Sequence, residues 1–299
     1  MKNLSNKTQA TLLVLLCVAL WAMIPPAAKI AAGSLDNHQF LFYSSLFSFL
    51  GLLTATIFYK KTEHIKKYSL KNWLYVVVLG LLGTYIYYLF LYLGYAKAKG
   101  LEVLVVQYTW PVTIVILSIF ILKEKLTIKK LISVVIGFLG VIVVLTKGDF
   151  SNVHINNIEV IFLVFLGASS FALFSVLSKK VELEPIGVTT IYFLVATIAS
   201  FASMLYFSEF KIPTLNDWFP ILLNGLLLNG FSYLFWLSAL KKAEASYLAP
   251  FVFVTPVLSA IYLVLLFNEP IVFAYAIGLA CVVVSGLVNS LEFKRKIKS

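Results

Sequence analysis

Charge is scarce in this chain. Asp, Glu, Lys and Arg make up only 12% of its 299 residues, and 61% are apolar, whereas a soluble domain carries roughly 25% charged residues. A water-soluble globular protein is excluded, and an integral membrane protein is left. Arginine occurs once, at Arg295 in the tail, so no arginine cluster stands ready for a phosphate-bearing cargo. No carboxylate lies at the centre of an apolar run, since Glu102, Glu159 and Asp217 all stand at starts. A buried Asp/Glu proton relay is therefore absent, and proton coupling could act only through a titrating residue at a mouth. His38, His64 and His154 fall in loops, while Cys17 and Cys281 sit inside apolar runs without CxxC spacing. Neither a disulfide nor a metal site nor a cofactor is expected. An enzyme would need a serine with a usable histidine, paired aspartates or a ligand cluster, and none is present.

The basic residues are informative by position. A formal charge of +11 invites a nucleic-acid reading, but the lysines cluster in short segments between apolar runs, as in basic cytoplasmic loops. A bilayer span needs about 20 apolar residues. Breaking the chain at its charged and Asn/Pro/Gly-rich segments predicts ten spans: 11–31, 40–59, 73–95, 102–122, 130–146, 158–178, 186–207, 218–240, 246–267 and 271–291. The first run is too long for the apolar core of a secretory signal and reads as an uncleaved span. With both termini in the cytoplasm, the inside segments hold 19 of the 24 basic residues. Lys29, Lys97, Lys99, Lys147 and Lys211 fall outside. That bias orients a multi-pass protein of the cell membrane, and the basic tail 294–298 is expected to rest on anionic lipid.

The chain also repeats itself. A shift of 145 places Trp73 on Trp218, Tyr88 on Tyr233, Lys97 on Lys242, Pro111 on Pro256 and Glu124 on Glu269. The first and sixth spans align at a shift of 150, pairing Lys29 with Lys179 and Trp21 with Phe171, and the fifth and tenth at 141. The segment 147–157 separates the halves, giving units 1–148 and 156–299. Five spans per unit make the second enter from the opposite face. The predicted fold is an all-α integral membrane protein, ten transmembrane helices in two inverted five-helix repeats, the plan of many secondary transporters.

This pattern resembles the drug/metabolite transporter superfamily, specifically its EamA-type members. The resemblance covers nearly the whole chain. It is carried by Leu248-Ala249-Pro250 through Pro256 to Phe267-Asn268-Glu269-Pro270, and by Tyr108-Thr109-Trp110-Pro111 through Leu122-Lys123-Glu124-Lys125-Leu126. The Tyr-Thr-Trp before the proline is similar to the amino-acid exporter branch, whereas Trp21-Ala22 stands where Trp-Gly is commoner. The resemblance implies a transporter and is a poor guide to cargo.

Several residues are candidates for the mechanism. Pro111 and Pro256 each remove an amide donor and crowd the carbonyl four residues back, so paired kinks for gating are expected near mid-bilayer. Polar groups at membrane depth usually face the bundle interior. Gln107 and Trp110 share one helical face, and so do Asn229, Tyr233 and Trp236. With Trp21, Tyr43, Tyr85, Tyr88 and Ser169 they form the candidate substrate cavity, aromatic with a few amides and hydroxyls. Interhelical hydrogen bonding is the other use of such groups. Lys29 and Lys179, near the ends of the first span of each half, could snorkel or draw a carboxylate to a mouth. Glu124 and Glu269 are expected to tie tight structural turns. The reading is an alternating-access carrier of a small metabolite, first an exporter of amino acids or related neutral or zwitterionic compounds, second an uptake carrier. A channel or lipid scramblase is the remaining rival, told apart by linear, unselective flux.

Overall fold

In hydrocarbon every backbone amide needs an internal partner, which a lone segment achieves only as a helix. The computed structural model, which describes residues 4–30, 35–98, 100–152, 157–268 and 270–290, is built of helices accordingly. Among the described residues nine segments are long and apolar enough to cross a bilayer: Asn6–Ala27, Asn37–Phe58, Leu70–Lys97, Glu102–Ile121, Ile128–Thr146, Ile158–Ser178, Pro185–Phe207, Leu215–Lys242 and Ala245–Phe267. The tenth predicted span is the shorter helix Phe273–Ser290. The first span begins earlier than expected because Ser5 caps it, its side chain accepting from Thr8 N; Asp36 caps the second in a capping box with Gln39.

Packing follows a symmetric plan. The first span lies along the eighth and the third along the sixth, while the second pairs with the seventh and the fifth with the tenth. Replacing each span by the one five places away leaves that pattern unchanged. Lipid tails are as apolar as leucine, so helices associate through close backbone approach and hydrogen bonds rather than hydrophobic burial. The fifth and tenth spans meet through glycine: a Cβ on Gly278 would stand 2.1 Å from Val144 Cγ2 and 3.0 Å from the Gly140 carbonyl. Ser285 Oγ donates to the Ser133 carbonyl beside them, at 2.7 Å.

Irregular turns recur at matched places. The third span contains a π-helical segment, Leu81–Ile86, and the eighth contains Leu223–Phe231; at the 145 shift the first falls on 226–231. Each is crossed by a tyrosine from the other span: Tyr88 Oη donates to Asn229 Oδ1 and Tyr233 Oη to the Gly83 carbonyl, both at 2.8 Å. The helix before Pro111 stops at Gln107 and resumes at Trp110, and the turn before Pro256 is 3₁₀ over Ala249–Phe253. A third break, at 22–23 in the first span, precedes Pro25 and Pro26. Pro26 deprives the Ala22 carbonyl of its helical partner, and Ser259 Oγ of the ninth span supplies one at 2.8 Å.

Candidate functional site

A cavity of about 740 Å³ opens on the face opposite the amino terminus, within the size range of pockets that hold drug-sized ligands. Its rim carries Asp36, Asn37, Tyr95 and Asp217, and its walls Phe40, Tyr87, Tyr88, Tyr92, Gln107, Tyr108 and Asn224. The depth is set by the broken turns of the fourth and ninth spans, which bring Trp110, Val252 and Thr255 to the floor beside Trp21 and Phe171. Trp110 is only 3% exposed. Its ring meets Phe171 at 4.9 Å and 80°, Trp21 at 5.9 Å and 81°, and Trp236 at 5.6 Å and 89°. The indole N–H groups are satisfied behind the floor, Trp21 Nε1 by Ser232 Oγ at 2.9 Å and Trp236 Nε1 by Ser175 Oγ at 3.0 Å. This fits the rule that a buried indole finds an acceptor.

Of the sequence candidates, Trp21, Tyr88, Gln107 and Trp110 line the cavity. Gln107 is held by tyrosines of the third span, donating to Tyr87 Oη at 2.8 Å and accepting from Tyr95 Oη at 3.2 Å. Trp236, Tyr233 and Asn229 lie one layer behind: Trp236 supports the floor, and Asn229 and Tyr233 join the π-helical segments. Tyr43 is away from the cavity, its hydroxyl on the Lys211 carbonyl at 2.8 Å. Tyr85 packs half-buried against the core. Ser169 is also half-buried and off the lining, and its neighbour Ser170 donates to the Leu82 carbonyl at 2.7 Å. Pro111 and Pro256 are buried at the broken turns. Glu269 and the side chain of Lys29 lie outside the described residues.

On the amino-terminal face the two halves are sealed. Glu124 accepts from the backbone N–H of Ala245 at 2.8 Å and of Ser246 at 2.9 Å, and from the Ser246 hydroxyl. It thus caps the ninth span from the other half, favourably placed at a helix N-terminus, rather than serving only its own turn. Lys130 Nζ pairs with Glu244 at 2.6 Å, Thr11 Oγ1 meets Tyr247 Oη at 3.0 Å, and Lys242 Nζ donates to Gln9 Oε1 at 2.8 Å. Lys179 is on this face too, its ammonium on the carbonyls of Leu240 and Ala243. Burial lowers its pKa, and Glu124 and Glu244 partly offset that. It closes the end of the eighth span, far from the cavity rim.

Residues that the sequence reading passed over are Phe171, Thr255, Tyr87 and the rim carboxylates. The signal for Thr255 was available, because it falls on Trp110 at the 145 shift.

A family model described as the EamA-like transporter family matches residues 8–146 and again 158–291. The chain belongs to the EamA-like transporter family. An uncharacterized transporter of Archaeoglobus fulgidus is 26% identical over 285 residues, covering 92% of this chain and 94% of the relative. An S-adenosylmethionine uptake transporter of Rickettsia prowazekii is 26% identical over 258 residues, covering 81% and 79%. A crystal structure superposes with a TM-score of 0.85 at 20% identity, over 95% of this chain and 96% of that one, which establishes the shared fold. As an EamA-like protein the chain is a multi-pass membrane transporter and not an enzyme.

Proposed function

We propose that this EamA-like transporter is a secondary carrier that works by alternating access, moving a small metabolite between its five-helix halves, 1–148 and 156–299. The observation that carries this reading is the asymmetry of the two faces. A cavity reaches the broken turns from one side, while inter-half bonds centred on Glu124 and Lys130 hold the other side shut. A floored cavity with one closed gate suits a carrier of the inverted-repeat kind better than a continuous pore. Trp21, Tyr88, Gln107 and Trp110 then contact cargo, Asn229, Tyr233 and Trp236 brace them, and Pro111 and Pro256 mark the turns that change. With the amino-terminal face in the cytoplasm, as the lysine bias supports, this state is open to the outside of the cell membrane.

The cargo proposed is an amino acid or a related neutral or zwitterionic compound, moved outward. Support comes from an aromatic wall interrupted by amides and hydroxyls, and from the Tyr108-Thr109-Trp110-Pro111 segment. Uptake is the second reading, favoured by the Rickettsia relative's name. Asp36 and Asp217 at the rim are the groups that a coupling proton would meet. Counterflow in proteoliposomes with a panel of labelled amino acids and small metabolites tests the proposal: saturable exchange of one class is expected, and linear, unselective flux would overturn it in favour of a pore.

A further inference from the structure

We infer that the cavity floor is a subsite for a planar aromatic or heteroaromatic ring of the cargo, with Thr255 hydrogen-bonding the ring's polar edge. The inference rests on the carrier reading above. Trp21, Trp110 and Phe171 meet pairwise at 75–81° with centroids 4.9–6.0 Å apart. Rings packed edge to face in this way are not stacked on one another, so a flat ring entering the corner can stack on one and meet the edge of the next. Trp21 already spends its indole N–H on Ser232, so it offers the cavity ring surface rather than a polar handle.

Thr255 is the second observation. It lines the floor and is 4% exposed, and its Oγ1 has no hydrogen-bond partner among the described residues. Such a hydroxyl is a rare and unfavourable feature of a folded interior. The serine hydroxyls packed behind the floor are engaged: Ser259 on the Ala22 carbonyl, Ser232 under Trp21 and Ser175 under Trp236. The unpaired group sits where a ligand would complete it, at the broken turn before Pro256. Gln107 is tied to two tyrosines, so Thr255 is the deep polar group freer to meet cargo.

Calorimetric titration of the purified full chain in detergent tests this with two matched pairs whose rings carry a polar edge, L-tyrosine against trans-4-hydroxycyclohexyl-L-alanine and uridine against 5,6-dihydrouridine. The two pairs distinguish an amino-acid source of the ring from a nucleoside source. In at least one pair the planar member should bind about three- to tenfold more tightly. Thr255→Val should weaken that member about three- to tenfold, while the melting temperature of the unliganded protein holds or rises because an unpaired hydroxyl has gone. Equal affinities within both pairs, no binding of any of the four, or unchanged affinity in a folded Thr255→Val protein would each overturn the subsite. Counterflow separates this from the carrier reading. Exchange without ring preference sinks the subsite alone, whereas ring-selective binding with no exchange of any panel compound sinks the carrier reading alone.

Discussion

Replacing Glu124 by glutamine should loosen the sealed face without unfolding the chain. The carboxylate takes three hydrogen bonds, from two amides and a hydroxyl of the ninth span. A bond to a charged group contributes about 1.5–3 kcal/mol when buried. Glu124 is half-buried, and glutamine keeps one acceptor oxygen, so the net loss is nearer 2 kcal/mol in total. That shifts the gate equilibrium about 30-fold toward opening. Cys17 provides the reporter. It is fully buried, one helical turn beyond Trp21 toward the sealed face and beside the backbone of Trp236. In a Cys281→Ala background its alkylation by N-ethylmaleimide should accelerate by about that 30-fold factor, with helical circular dichroism unchanged. An unaltered rate in a folded Glu124→Gln protein would refute the idea that this carboxylate holds the gate.

Other outcomes follow from the same geometry. Trp110→Ala removes the centre of the floor and should cut counterflow more than about tenfold while the protein stays helical; wild-type flux would sink the placement of the cavity. Asn229→Leu removes the amide acceptor of the buried Tyr88 hydroxyl, at a cost of about 1–3 kcal/mol. Adding Tyr88→Phe should recover most of the lost melting temperature, and failure to recover it would show that Asn229 acts otherwise. Gly278→Ala puts a methyl 2.1 Å from Val144 Cγ2 and should destabilise the fifth–tenth pair by about 1–3 kcal/mol, read as a lower melting temperature in detergent. No change there would mean that the two spans separate freely.

Much of the architecture was legible along the chain because the bilayer imposes it. Hydrocarbon forces helix formation wherever about 20 apolar residues run together, and the spans lie where hydropathy placed them, with the tenth shorter. The prolines were readable as breaks, since a missing amide acts locally. Pro25 and Pro26 break the first span by the same rule, although they lie outside the repeat that pairs Pro111 with Pro256. Side-chain roles were harder to read. Helical periodicity puts Asn229, Tyr233 and Trp236 on an inward stripe, but an inward stripe can face a cavity or another helix. The tyrosine hydrogen bonds that join the third and eighth spans across their π-helical turns decided for the helix.

The sequence alone determined that the chain lives in a membrane, that it doubles back in two related halves, and where its backbone is weak. Each of these follows from local composition or from self-comparison. Only the tertiary structure decided which face is open, that Glu124 reaches across to the ninth span, that Lys179 closes a helix end away from the rim, and that Thr255 at the floor has no partner among the described residues. Those depend on which helices meet and at what depth, and helix association in lipid is set by shape and hydrogen bonding between distant segments, which no single stretch of sequence contains.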